Sequence, residues 1–183
     1  MRRVVLTPLA VTLLWVCCSV AGAEPWANAT PESVEGRETP VSSPDGRWEI
    51  FWRRAAASDV LDHEIWLRSA WKPATARRIF GYGRHAEVLW SPDSKLIAIN
   101  DRALSNEAWV SVFRVLPEGH VAEIGSFTER IKKLHTGKDS APFDHLYVTA
   151  LKWSRDSKTL LVQVKGHGDR REVDRRITVR VIP

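Results

Sequence analysis

The chain has 183 residues, with 27 lysines and arginines against 22 aspartates and glutamates and a formal net charge of +5. Its two cysteines, Cys17 and Cys18, both lie in an apolar N-terminal stretch, so the rest offers no thiol nucleophile, disulfide or thiolate-bound zinc. Without Arg2 and Arg3 the 27 cations fall to 25 against 22 acids, a net of +3, which argues against a nucleic-acid surface.

Met1-Arg2-Arg3 is a basic head, Val4 to Val20 is almost wholly apolar, and Ala21-Gly22-Ala23 supplies an A-x-A site. That order describes a secretory signal peptide. The run is short for the roughly 20 residues of a membrane span. Cleavage is expected after Ala23, giving a periplasmic or secreted chain with no membrane span and 160 residues, Glu24–Pro183. Trp15-Val16 ahead of Cys17 does not suit a lipoprotein site. A chain of that size folds as one domain burying about two-thirds of its unfolded surface.

Residues 24–39 are polar, with two prolines and little periodicity, and read as a flexible leader. From residue 40 onward the text is a series of short β-branched and aromatic runs broken by turn residues, expected as one all-β domain over 40–183. "RWEIFWRR", "HEIWLRSA", "KLIAIN", "AWVSVFRV", "TLLVQVKG" and "RRITVRVI" are examples. One segment departs from this. "SFTERIKKLHTGK" has Ser126 three residues before Glu129, then Ile131 and Leu134 on one face and Gly137 as a stop, predicting a short inserted helix at about 127–137.

A repeat organises the domain. Ser43-Pro44-Asp45-Gly46-Arg47 aligns with Ser91-Pro92-Asp93-Ser94-Lys95 and with Ser154-Arg155-Asp156-Ser157-Lys158. The aspartates stand 48 and 63 residues apart, and the longer interval holds the predicted helix. Pro44 and Pro92 preset φ, Asp45, Asp93 and Asp156 can bond back to local N–H groups, and Gly46 tolerates positive φ. Each turn is a structural hairpin between apolar strands, with room for further strands after it. The units fall at about 40–83, 84–127 and 145–183.

"LWSPDSKLIAIN" and its relatives resemble the blade repeat of TolB-type and WD-like β-propellers. The resemblance covers about 145 residues and implies three four-stranded antiparallel blades, forming a partial or small propeller with one inserted helix. It implies little about function, since such blades serve many roles. The chain departs from the pattern at Arg155, in lacking glycine in two copies, and in having only three units where propellers usually have about four to eight. Three arrangements follow: a homodimer completing a six-bladed ring, an open array covered by a partner, or a compact fold plugged by the helix.

In such blades the S-P-D turns mark one end and the second turns the other. Length and charge favour the second-turn end, where Asp101, Arg102, Asn106, His167, Asp169 and Arg170 are the candidate ligand or partner contacts; the plain alternative is ordinary solvated hairpin tips. "DVLDHE" gathers Asp59, Asp62, His63 and Glu64 without any cation-loop spacing, and reads as a charged loop rather than a metal site. No G-x-S-x-G or H-E-x-x-H occurs, and the recurring turn serines are explained by the turn, so no catalytic residue, metal or cofactor is expected. Strand tryptophans such as Trp52, Trp90 and Trp153 are expected to pack between units. These readings converge on an exported, non-enzymatic module that binds an envelope protein in a bacterium. A glycan or small-molecule binder using the second-turn loops is the alternative, and a hydrolase the third reading.

Overall fold

The computed structural model describes residues 24–56, 62–125, 127–136, 143–169 and 171–181, and it is mostly β. The signal-peptide reading and Arg170 therefore lie outside the described residues. In chain order the strands are β1 (Glu32–Ser33), β2 (Val41–Ser42), β3 (Trp48–Arg54), β4 (His63–Ser69), β5 (Arg77–Tyr82), β6 (Ala86–Trp90), β7 (Leu96–Asp101), β8 (Glu107–Val115), β9 (Val121–Glu123), β10 (His145–Trp153), β11 (Thr159–Gly168) and β12 (Arg171–Arg180). The helix α1 (Phe127–Thr136) lies between β9 and β10. No described helix is long and apolar enough to cross a membrane.

β2-β3-β4-β5 form a four-stranded antiparallel sheet. The second and third expected units are not separate blades. They share one eight-stranded sheet, β1-β6-β7-β8-β10-β11-β12, with β9 attached to β8. The join is a short parallel pairing, Glu107 with Leu146 and Ala108 with Tyr147, at the start of β8. Farther along, β8 pairs instead with β9 through Phe113, Arg114 and Val115. Val110 sits in the gap between these partners, where its main chain would lack a ladder on that side. The Thr128 hydroxyl of α1 fills the gap, accepting from Val110 N–H (2.9 Å) and donating to Val110 C=O (2.8 Å). Backbone groups in a buried setting need such partners. A buried asparagine adds a second stitch: Asn100 on β7 accepts from Ala150 N–H (2.8 Å) and donates to Ala150 C=O (3.1 Å) on β10.

Two cores flank the β6–β8 layer. One holds Ile50, Ile65, Leu67, Tyr82, Val88, Ile97 and Ile99. The other holds Leu89, Leu96, Ala98, Val110, Val112, Val148, Trp153, Leu160 and Val162, with Phe127 and Ile131 of α1. Alternation along β7 sends Ile97 and Ile99 to one side and Leu96 and Ala98 to the other, as the period of a strand requires. A strand covered on both faces reads as an unbroken apolar run, which is why "KLIAIN" lacks the polar alternation of "RRITVRV". The outer face of the first sheet is finished differently. Arg53 lies over the rings of Trp66 (4.5 Å) and Phe51 (5.1 Å), and Arg68 over Phe51 (4.9 Å) while pairing with Glu49 (2.7 Å). Guanidinium groups stacked this way cover aromatic surface while keeping their own charge in water.

Residues 24–39, read from composition as a flexible leader, make main-chain contacts along the larger sheet. Arg155 N–H donates to Pro25 C=O (3.0 Å), Ala27 N–H to Trp153 C=O (2.8 Å), and β1 pairs with β6. Val34 inserts fully into the first core. The anchors are mostly backbone groups and one valine, so composition gave no sign of them.

The three S-P-D turns have one internal network. The first serine donates to the aspartate two residues on: Ser43 to Asp45 (2.6 Å), Ser91 to Asp93 (2.7 Å) and Ser154 to Asp156 (2.6 Å). The same hydroxyl accepts from the N–H that opens the next strand, at Trp48, Leu96 and Thr159. Burial acts to raise the Asp45 carboxyl, but hydrogen bonds from Ser43 and Arg47 N–H and the Arg47 guanidinium outweigh it and hold it at about 2. Bonds from Ser154 and then Lys158 N–H likewise lower Asp156. For a lowered carboxyl, the stability contribution is present above the ordinary carboxylate range and is lost as pH falls through the folded value.

The turns are also bonded to one another. Asp45 N–H donates to Ser94 Oγ (3.0 Å), and Asp93 N–H donates to Ser157 Oγ (3.1 Å). Ser94 and Ser157 occupy the position of Gly46, and all three have positive φ (60°, 62° and 68°). A side chain in that region costs on the order of 1–2 kcal/mol, and the hydroxyl offsets it with a bond of about 1 kcal/mol. Replacing Ser94 with alanine removes the acceptor and keeps the strain, so it is expected to lower stability by about 1 kcal/mol. Ser94→Gly removes both and is expected to stay within about 0.5 kcal/mol of wild type. Urea denaturation of the three proteins checks this, and equal stability of the alanine and glycine variants would refute the compensation.

Candidate functional site

The second-turn end is built from the β7–β8 turn, the β5–β6 link and the β11–β12 tip. Arg102, the first residue after β7, is fixed by its N–H donating to His85 C=O (2.9 Å), while its side chain is exposed. It lines two adjoining cavities. One, of about 260 Å³, is completed by Ala108, Tyr147, Thr149, Gln163 and Lys165. The other, of about 490 Å³, is completed by Arg84, His85, Leu104, Ser105, Glu107 and Tyr147. Arg102 and Tyr147 are common to both, so the two cavities form one groove.

The strand period explains the floor. Tyr147 and Thr149 alternate with the buried Val148 and Ala150 on β10, and the register sets them beside Lys165 and Gln163 of β11. These polar side chains are held in place. Tyr147 Oη donates to Ser105 C=O (2.8 Å), and Gln163 Nε2 donates to Asp174 (2.8 Å), which also pairs with Lys165 (3.4 Å). The Gln163 bond, with Lys165 and Arg176 nearby, lowers the Asp174 carboxyl against the slight opposing effect of burial.

The sequence-chosen residues that the structure describes divide into four sets. Arg102 and His167 are brought to one strip, linked through residues that the sequence reading passed over. His145 stacks on His167 (4.3 Å between ring centroids, 14° between planes) and its Nδ1 lies 3.1 Å from Tyr147 Oη. Asn106 is engaged by the main chain: its C=O accepts from Leu146 N–H (2.9 Å) and its Nδ2 donates to Asp144 C=O (3.3 Å). It therefore belongs to the join between β8 and β10. Asp169 is exposed on the β11–β12 tip and does not line the groove. Tyr147 was legible only as strand text, because a tyrosine at an alternating position carries no mark of which face it takes.

Asp101 lies apart from the groove. One of its carboxylate oxygens is buried without a partner, as is Tyr82 Oη. Burial pushes the Asp101 carboxyl up to about 6, and burial, then Glu35 and Asp101, push the Tyr82 phenol upward. Beside them Glu35 of the N-terminal segment lies 3.6 Å from His63 and 3.7 Å from His85, and His85 lies 3.7 Å from Glu87. Of the "DVLDHE" group, Asp59 is outside the described residues. Glu64 is occupied by Arg78 (3.2 Å) and Trp66 Nε1 (2.8 Å). No set of three or more metal-ligating side chains comes together among the described residues.

A carboxyl raised in the folded state binds its proton more tightly there than in the unfolded chain. The protein is thus expected to lose stability as pH rises from about 4 through about 6 on account of Asp101. Asp101→Asn is expected to flatten that slope and to melt above wild type at neutral pH, measured by thermal unfolding across pH 4–8; parallel pH profiles for the two proteins would refute it. No family model, curated protein or solved structure matches this chain.

Proposed function

We propose that the chain is an exported, non-enzymatic binding module of the bacterial envelope, in which three propeller-like units present their second-turn end to a protein partner. The observation that supports this reading is the groove shared by Arg102 and Tyr147. Its rim carries an exposed Leu104 (55 % exposed) beside the Arg84 and Arg102 guanidinium groups. Tyrosine and arginine around an apolar contact are the residue types that dominate protein interfaces.

The array is read as complete in one copy. Gly46 offers no hydroxyl to a further turn, and the N-terminal segment already bonds to the third turn at Arg155. Light scattering on residues 24–183 is expected to give a monomer mass, and a stable dimer would overturn this reading in favour of the six-bladed ring. For the partner, immobilised protein is exposed to envelope extract before and after protease digestion of the extract. Arg102→Glu and Tyr147→Ala are each expected to weaken capture by about tenfold or more, while Lys158→Glu at the opposite end leaves it unchanged. Capture that survives digestion would favour the glycan or small-molecule reading, and capture indifferent to both groove variants would overturn the choice of face.

A further inference from the structure

Three non-glycine residues have positive φ among those described: Ser94, Ser157 and Glu118, the last at 65°. The serines are accounted for by the bonds they accept from neighbouring turns. Glu118 is not. It is exposed, and no hydrogen bond or ion pair to its side chain occurs among the described residues. Backbone strain of this kind collects at functional sites, so what Glu118 faces is informative.

Glu118 borders a cleft of about 460 Å³ at the S-P-D end, opposite the groove, together with Trp48, Trp71, Lys72, Thr75 and Arg77. Trp71 is 75 % exposed, more than any other large apolar side chain described. An indole left in water forgoes the burial that normally favours it. Its loop is nonetheless pinned. Ala70 N–H donates to Arg47 C=O (2.9 Å), Trp71 N–H to Ser69 Oγ (3.3 Å), Lys72 N–H to Ser69 C=O (3.3 Å), and Thr75 Oγ1 to Lys72 C=O (2.8 Å). The floor is equally fixed: Trp48 packs so closely under Gly119 that a Cβ there would meet its ring at 2.8 Å. The cleft is therefore preformed, with an exposed indole and the Glu118 carboxylate beside it.

Lys72 and Arg77 add two cations to the one anion of Glu118. Arg77 Nη1 lies 3.5 Å from His120 Nδ1, and neither cation is ion-paired among the described residues. We propose that this cleft binds an acidic saccharide, one carrying a carboxylate, with a sugar ring stacked on Trp71. A pyranose presents a face of C–H bonds that packs on an indole, and a rim of hydroxyls that a carboxylate such as Glu118 accepts from. The surplus of positive charge matches a carboxylate on the sugar. A mainly apolar ligand would leave Glu118, Lys72 and Arg77 without partners.

The test uses tetrasaccharides of hyaluronan and of polygalacturonate as acidic probes and chitotetraose as the neutral one, titrated by calorimetry and indole fluorescence. An acidic probe is expected to bind at least about tenfold more tightly than chitotetraose. Trp71→Ala is expected to cut that affinity by about tenfold or more with no change in melting temperature, since the side chain is mostly in water. Glu118→Gly is expected to raise the melting temperature by releasing the left-handed strain, and to weaken binding. The proposal is overturned if neither acidic probe binds at millimolar concentration, if chitotetraose binds as well as they do, or if Trp71→Ala binds like wild type. These outcomes are independent of the groove at the other end.

Discussion

The contact on which the rest depends is the bond from one S-P-D turn to the next. Asp45 N–H reaches Ser94, and Asp93 N–H reaches Ser157. Each bond fixes the spacing of two units at one end, so the first sheet, the β6–β8 layer and the β10–β12 strands stack in order. The bond has a direction, since the earlier turn donates and the later one accepts. It also requires a side chain where the backbone would prefer none. In a lone hairpin glycine would serve better at that position, as it does at Gly46. The serines at 94 and 157 are therefore marks of stacking, written in the sequence as a departure from the blade pattern.

The turns and the strands around them were legible because they rest on local chemistry. Proline, aspartate and serine act within five residues, and alternation in "RRITVRVI" is a property of a single strand. The merging of the second and third units was not legible. It rests on two parallel pairs at Glu107 and Ala108, on Asn100 reaching Ala150, and on Thr128 reaching Val110. None of those residues stands out by type or spacing, since an asparagine or threonine shows its use only when its partner is in place. The anchoring of residues 24–39 was hidden for a related reason, as main-chain bonds leave no trace in composition.

The candidate groove divides along the same line. Arg102 and His167 could be chosen because charged residues near strand ends mark hairpin tips, although His167 falls inside β11 rather than in the turn. Tyr147 and His145 could not, because they lie inside a strand and take their face from the register of β10 against β11. Asp101 was chosen for its charge and turned out to be engaged by burial beside Tyr82. Sequence reading chose residues at one end of the strands and passed over Tyr147 and His145 beside them, since it sees loops as chain connections and cannot see which sheet faces meet beneath them.

The β6–β8 layer, covered on both sides, has a consequence for how the molecule can come apart. Ile97 and Ile99 belong to one core while Leu96 and Ala98 belong to the other. Removing either neighbouring sheet would expose a row of mainly apolar side chains on a strand with no polar face to turn outward. Neither core is then a subdomain that could persist alone. Two hydrophobic clusters that share a wall melt together, and the chain gains from four consecutive residues a cooperativity that two independently backed sheets would lack.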